Sequence, residues 1–547
     1  MEISKNWFRM QVFRLRIPLT FSLIITFLST ISLSAQSTQG NGNLYAVALL
    51  VIVGALILVS AVLLLSESFL AIEGKKAGVK TPTSNLWSAG PPKYAAGASV
   101  VNLSKGHDIL LKGAADKTIS NIGTRFSMRP GDFRGLPPIP KVIVEVGDEV
   151  KAGDVLFHAK KDTTVKYVSP VSGEVVEIRR GEKRAISDII ILADKEIKHK
   201  QFDPPSIAEG SRAEIVDFLC ETGAWTLFNE RPYDLLPSVD SLPKNIFIST
   251  FDSAPLAPDL NYVVKGKEEA FQKGLDTLDR LTEGAVCLGL DARGETAPHE
   301  AFTNAQRVEK TYFGGAHPSG NVGVQMHHTH PINTGDKVWT LTVQEVITLG
   351  QLMYKGIWDA SRVVAITGGQ VSKPQYANTY VGAQIGELLH NNLSDIKLRM
   401  IDGDVLSGKH VHNDEFLSYR SDQLTVIEEG DYFEMFGWLL PLKPRPTISK
   451  TFPNALFKTL KFDGDTNTHG EQRAFVVTGQ YEQVLPMDIY PQHLMKAIMV
   501  GDIEQMEGYG INELSEEDVA LCEFTCTSKQ PLQSILRDGL DMLREQG

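Results

Sequence analysis

Two long apolar runs open the chain, and everything behind them alternates on much shorter periods. Ile17 to Ala35 carries no charge, follows Lys5, Arg9, Arg14 and Arg16, and ends in Leu33-Ser34-Ala35-Gln36. A basic start, an apolar stretch and small residues before a polar one describe a secretory signal peptide. Leu33 suits a cleavage site poorly, so residues 1–36 read either as a signal peptide or as a first membrane segment. Leu44 to Leu65 is again free of charge, and as a helix it spans roughly 33 Å, enough to cross the hydrocarbon layer. A transmembrane helix is expected over 44–72. Lys75, Lys76 and Lys80 follow it, which puts the rest of the chain on the cytoplasmic side. A span without a charged side chain offers no path for an ion.

Residues 77–100, with Pro82, Pro91 and Pro92, lack apolar periodicity and read as a linker. From 101 to 200 the pattern is short strands and tight glycine turns. Lys141 to Val146 alternates and ends at Gly147-Asp148, Gly153-Asp154 precedes Val155-Leu156-Phe157, and Gly173 precedes Val175 to Ile178. Glycine at these turns supplies positive φ without a Cβ penalty. The series VGDEVKAGDVLF (146–157) and SPVSGEVVEI (169–178) resembles the biotinyl/lipoyl-type barrel-sandwich domain. Its hairpin, His158-Ala159-Lys160-Lys161-Asp162, lacks the Met-Lys-Met or Asp-Lys-Ala setting of a carrier lysine. A carrier-shaped module without a carried group is expected.

From 205 to 355 strands alternate with helices. Asn245–Thr250 and Ala285–Leu290 are apolar runs of the kind buried in parallel sheets, and Phe271, Leu275, Leu278 and Leu281 fall at helical spacing between them. This predicts a Rossmann-like α/β domain, but no GxGxxG follows any strand, so no bound dinucleotide is implied. Over 360–450, strands at Arg362–Thr367, Lys397–Ile401, Leu424–Ile427 and Tyr432–Phe436 with a helix near Ile385–Leu389 suggest a β-grasp (SLBB-like) domain. Residues 485–547 read as a helical C-terminal domain. Ser515-Glu-Glu-Asp518 opens one helix, and Leu532, Ile535, Leu536, Leu540 and Leu543 share one face of the last. The fold class is thus α/β multidomain behind one or two membrane segments.

Charge and cysteine usage narrow the chemistry. The 547 residues carry a net charge of −12, which argues against sequence-independent nucleic-acid binding. The four cysteines (Cys220, Cys287, Cys522 and Cys526) are too sparse for a disulfide scaffold or for two four-cysteine clusters. Cys522 and Cys526 therefore read as reduced thiols. Four histidines crowd one segment, His317, His327, His328 and His330. His328-x-His330 would put two rings on one face of a strand, but no Cys, Asp or Glu lies nearby in sequence to complete a metal shell. No metal site is expected; His317, His328 and His330 stand as candidates for an interface or for contact with a quinone head group. With no phosphate loop, nucleophile elbow or HExxH, no catalytic residue is assigned.

The order of modules resembles the NqrA family, one component of the bacterial Na⁺-translocating NADH:quinone reductase. The resemblance covers roughly residues 103–547 and rests on LSKGHDILLKGAADK (103–117), VGDEVKAGDVLF (146–157), VKYVSPVSGEVVEI (165–178), GGAHPSGNVGVQMHHTHP (314–331) and CEFTCTSKQPLQSILRDGLDML (522–543). It implies a component of an inner-membrane complex in which subunits B to F carry the flavins and iron–sulfur centres, electrons pass from NADH to quinone, and Na⁺ is exported. It also implies quinone association without a redox cofactor held by this chain. Flavin- and cluster-binding relatives in respiratory complex I and the Rnf complex carry a glycine-rich loop where this chain reads Cys220-Glu-Thr-Gly223-Ala-Trp225, and more cluster cysteines than Cys522 and Cys526. Those two functions do not carry over. The first 100 residues depart from the wholly soluble form expected of NqrA and fit a tether, which raises effective concentration without a new contact. The alternatives are a membrane-anchored adaptor with a barrel-sandwich domain and an Rnf-type electron-transport subunit.

Overall fold

The computed structural model describes residue 54 and residues 92–546, with 122, 138, 435–444 and 449–458 excepted. The expected segments 1–36 and, apart from residue 54, 44–72 lie outside the described residues. Among those described, no helix is long and apolar enough to cross a membrane. The unit Ala89–Gly547 is compact.

The turns predicted at Gly147 and Gly153 form with φ of 97° and 95°, whereas Gly173 (φ 154°) is not in a turn but opens the strand Gly173–Arg180, where a Cβ would stand 1.9 Å from the Leu192 carbonyl oxygen. The two turns connect a four-stranded antiparallel sheet, Arg125–Met128, Ile186–Ala193, Gly173–Arg180 and Glu149–Val150, with a three-stranded one, Lys141–Val142, Val155–His158 and Lys166–Val168. Val150, Leu156, Phe157, Val168, Val175, Ile189 and Ile191 are buried in a common core, where Phe157 and Tyr167 stack at 4.7 Å. The strand expected over Lys141–Val146 stops at Val142. Beyond it Ile143 and Val146 are exposed, so that stretch has no second layer to cover it.

The α/β domain is built on a six-stranded sheet in the order Ser99–Asn102, Glu309–Gly314, Val286–Asp291, Ile246–Ser249, Val338–Thr340, Asn229–Arg231. Its first five strands are parallel and the last antiparallel. The helix Glu268–Asp279 forms at the predicted 3.6 spacing and buries Phe271, Leu275 and Leu278. Ser99–Asn102 is a correction: residues read as the end of a linker (to 100) and the start of the barrel-sandwich domain (from 101) instead supply an edge strand to this sheet.

The third sheet orders as Lys409–Val411, Leu398–Asp402, Gln423–Glu428, Ser361–Thr367, Gln375–Tyr380, Asp116–Asn121, with the short helix Ile385–Leu388 beside it. Here too a segment from the barrel-sandwich range, Asp116–Asn121, adds the edge. The strand expected over Tyr432–Phe436 is not formed at residues 432–434, and 435–436 lie outside the described residues. Five helices (Tyr481–Val484, Pro491–Val500, Ile503–Gly508, Glu516–Thr525 and Leu532–Gln546) close the chain around a second core of Leu494, Met495, Leu514, Val519, Leu532, Leu536 and Leu540.

Candidate functional site

The histidine segment is the connection from the strand Glu309–Gly314 to the helix Val322–Thr329. It lies at the carboxyl end of a parallel strand, where open α/β sheets place ligands. Its glycines, however, are used up on protein. A Cβ on Gly315 would meet the Leu103 carbonyl oxygen at 2.7 Å, one on Gly320 the Ser253 nitrogen at 2.5 Å, and one on Gly323 the Asp518 carboxylate at 2.3 Å. The loop is pressed against neighbouring backbone and leaves no cradle for a phosphate.

His317 is 4% exposed. Its Nδ1 lies 3.0 Å from Ser253 Oγ, which also accepts the Gly320 N–H at 2.8 Å. The Ser253 hydroxyl hydrogen is thus free to be donated to His317 Nδ1. Burial lowers the His317 pKa to about 4, so the ring is neutral near pH 7. Its backbone is pinned on both sides, the N–H donating to Asp108 Oδ1 at 2.8 Å and the carbonyl accepting from the His107 N–H at 2.8 Å.

The pair expected on a strand is instead helical: His328 lies within Val322–Thr329 and His330 is its C-cap. The physical reason is burial. Gly323, Val324, Gln325 and Met326 are all covered, and four consecutive buried positions hide the 3.6-residue signature of an amphipathic helix. The three candidates take separate partners. His328 Nε2 donates to the Pro486 carbonyl at 2.7 Å, with its pKa lowered by burial. His330 Nε2 donates to Glu309 Oε2 at 3.1 Å. His327, which no local sequence signal distinguishes, accepts the Asp488 N–H at Nε2 (3.0 Å) and meets Glu513 at Nδ1 (2.9 Å). Two adjacent histidines therefore fasten the α/β domain to the helical tail.

An ionic joint lies beside them. Arg231, 3% exposed, reaches Glu517 at 2.9 Å, Asp234 at 2.9 Å and Asp518 at 3.4 Å, and Asp518 also accepts the Ser515 N–H at 3.0 Å. Burial raises the pKa of both Glu517 and Asp518, and the guanidinium opposes that rise.

The turn at Gly223 and the two tail cysteines are packed by neighbouring groups. Gly223 faces the Val168 methyls, which a Cβ would meet at 2.8 Å, and Trp225 behind it is fully buried, its Nε1–H donating to the Pro237 carbonyl at 2.9 Å. Cys526 Sγ accepts the Tyr481 hydroxyl at 2.8 Å and the Gln530 N–H at 3.4 Å. Cys522 is buried and its thiol pKa is pushed up by desolvation. Both thiols are spent on packing the tail.

The structure does assemble one mixed donor set that local sequence spacing hides. Cys287, Glu309 and His330 bring their ligand atoms within 4.8 Å of one another. The first two sit opposite each other on paired strands, which no linear motif records.

Known families match these domains in the order in which they fold. Residues 101–194 match the NqrA N-terminal barrel-sandwich hybrid domain, 210–358 the NqrA second alpha/beta domain, and 363–413 the NQRA C-terminal (SLBB) domain. The Na(+)-translocating NADH-quinone reductase A-subunit of Saccharophagus degradans is 38% identical over 419 residues, covering 76% of this chain and 92% of that protein. Those of Vibrio vulnificus and Neisseria meningitidis serogroup A are each 35% identical over 453 residues, 82% of this chain and 100% of theirs. Among solved structures, an air-oxidized NAD⁺-reducing [NiFe]-hydrogenase is similar over 43% of this chain and 52% of its own at 15% identity, with a TM-score of 0.30, too partial to carry an argument. Domain order and near-complete coverage of the relatives agree: the chain belongs to the NqrA family of the Na⁺-translocating NADH-quinone reductase.

Proposed function

We propose that this chain is the NqrA component of a sodium-pumping NADH:quinone reductase, positioning other parts of the complex and without turnover of its own. The observation that carries this reading is the match, in order, of three family domains, with relatives of that name covered over 92–100% of their length. The barrel-sandwich, α/β and SLBB-like domains share edge strands, and the tail is bolted on through His327, His328 and Arg231, which suits a rigid body that docks other subunits.

The redox steps belong to the partners. NADH, flavins, iron–sulfur centres and quinone act on or with the other subunits, and the satisfied Cys522 and Cys526 and the closed Gly223 turn support this division. The segment 44–72, preceded by 1–36 as a signal peptide or a first membrane segment, tethers the body to the inner membrane, with residues after 72 on the cytoplasmic side. Quinone contact by His317 is disfavoured by its burial, which leaves His328 and His330 as the accessible candidates among the three.

Affinity purification of the tagged chain from membranes in mild detergent tests this reading. Co-purification with integral membrane subunits and Na⁺-stimulated NADH oxidation by the eluate are expected. Recovery of the chain with an export channel, or without any NADH-oxidising partner, would favour the adaptor reading instead.

A further inference from the structure

On the sheet face covered by the helix Val322–Thr329, three potential metal ligands converge. Cys287 and Glu309 lie opposite one another in register on the parallel strands Val286–Asp291 and Glu309–Gly314. A parallel register places paired side chains on the same face of a sheet. His330 comes down on that face from the C-cap of the helix Val322–Thr329, where its N–H bonds to the Met326 carbonyl at 2.8 Å. The Cys287 sulfur, the Glu309 carboxylate and an imidazole nitrogen of His330 lie within 4.8 Å of one another.

These three residues line a recess of about 20 Å³, together with Phe247, Gly289 and Gln325. That is room for about one water or one ion. Its floor is fixed: Gln325 lies so close over Gly289 that a Cβ there would stand 1.9 Å from its amide oxygen. Phe247 backs the imidazole with ring centres 6.3 Å apart. Solvent reaches the mouth, since the side chains of Glu309 and His330 are 63% and 38% exposed while Cys287 is buried.

We propose that Cys287, Glu309 and His330 form a binding site for a zinc ion, with a fourth coordination position open to water. Sulfur, imidazole and carboxylate in one shell is a donor set that suits zinc and is wrong for the hard cations magnesium and calcium. Bonds of roughly 2.0–2.3 Å hold tetrahedral ligand atoms about 3.3–3.8 Å apart. The exposed Glu309 and His330 side chains can close that difference by rotation, because neither is packed on all sides.

Cys287 makes only one long contact, 4.0 Å to the Ala285 carbonyl, and burial beside Glu309 pushes its thiol up to about 12. Without a cation the sulfur stays protonated. On zinc binding the S–H bond breaks, its proton leaves to solvent and the sulfur pair forms the Zn–S bond, with no change of oxidation state. The His330 hydrogen now facing Glu309 moves to the other ring nitrogen, freeing a lone pair for the metal. The ion would pin the end of the helix that carries His327 and His328 to the sheet beneath it, and so stiffen the joint to the tail.

Isothermal titration of the full-length, chelator-stripped protein in detergent with ZnCl₂, and parallel titration with CoCl₂ followed optically, tests the site. Expected are one Zn²⁺ bound per chain with proton release, and a thiolate-to-cobalt charge-transfer band. Losing outer partners of a metal ligand costs about 10–100-fold in affinity, so Cys287→Ser, Glu309→Gln and His330→Gln are each expected to weaken binding at least about tenfold. Cys287→Ser should also abolish the cobalt band. Circular dichroism checks that each variant folds, and the wild-type band stands even where a variant fails. No saturable binding, or cobalt binding without a thiolate band, as the adjacent surface rings of His410 and His412 would give, overturns the proposal.

Discussion

His317 is walled in by the loop that carries it, and that burial holds its pKa at about 4 against an ordinary 6.5. Between those values the unfolded chain binds a proton that the folded chain refuses. Stability is therefore greatest above about pH 6.5 and declines as pH falls towards about 4, by roughly 3 kcal/mol at most. His317→Gln removes this proton and should flatten that part of the profile. Thermal midpoints of both proteins from neutral pH down to about pH 4 check this; two parallel curves would show that His317 is not the group responsible.

At the scale of elements, the helix Val322–Thr329 inverts a familiar rule. Replacing a helical glycine with alanine usually stabilises, by up to about 1 kcal/mol. A Cβ on Gly323 would lie 2.3 Å from Asp518 Oδ2, and that carboxylate is held by Ser515 at 3.0 Å and Arg231 at 3.4 Å and cannot retreat. Gly323→Ala should destabilise by about 1–3 kcal/mol, read as a lower denaturant midpoint. Arg231→Met leaves the buried Asp518 without its counter-charge and should cost about 3–5 kcal/mol. Adding Asp518→Asn to that variant should recover part of the loss.

These elements also show where sequence is informative. The turn glycines at 147 and 153 and the leucine stripe of Leu532–Gln546 follow from local physics, a positive φ in one case and a 3.6-residue apolar period in the other. The strands Ser99–Asn102 and Asp116–Asn121 join sheets far along the chain through backbone hydrogen bonds, which any residue offers, so nothing local marks them. His328 reads as strand in isolation because four consecutive buried residues, Gly323 to Met326, mask the period of its helix. Cys287 and Glu309 sit on two paired strands and His330 caps the helix that follows the second, and only the strand register reveals that they meet.

For the molecule as a whole, the unit Ala89–Gly547 contains its own cores, one spanning the barrel-sandwich, α/β and SLBB-like domains and one inside the tail. A chain that begins at residue 89 should stay soluble without detergent and melt cooperatively. Aggregation with loss of a cooperative transition would show that the apolar N-terminal segments are needed for the fold. On the proposed reading, carrier-shaped and nucleotide-fold modules serve without their ligands: Lys160 and Lys161 lack a carrier setting, Gly223 abuts Val168, and the tail thiols bond to their neighbours. That reading holds that shape is retained where cofactor chemistry is not. The visible absorption spectrum of the isolated chain, stripped of its partners and compared with the intact complex, probes this claim most directly. Flavin and iron–sulfur bands are predicted in the complex and none in the chain; a flavin or cluster band in stoichiometric amount from the chain alone would contradict it.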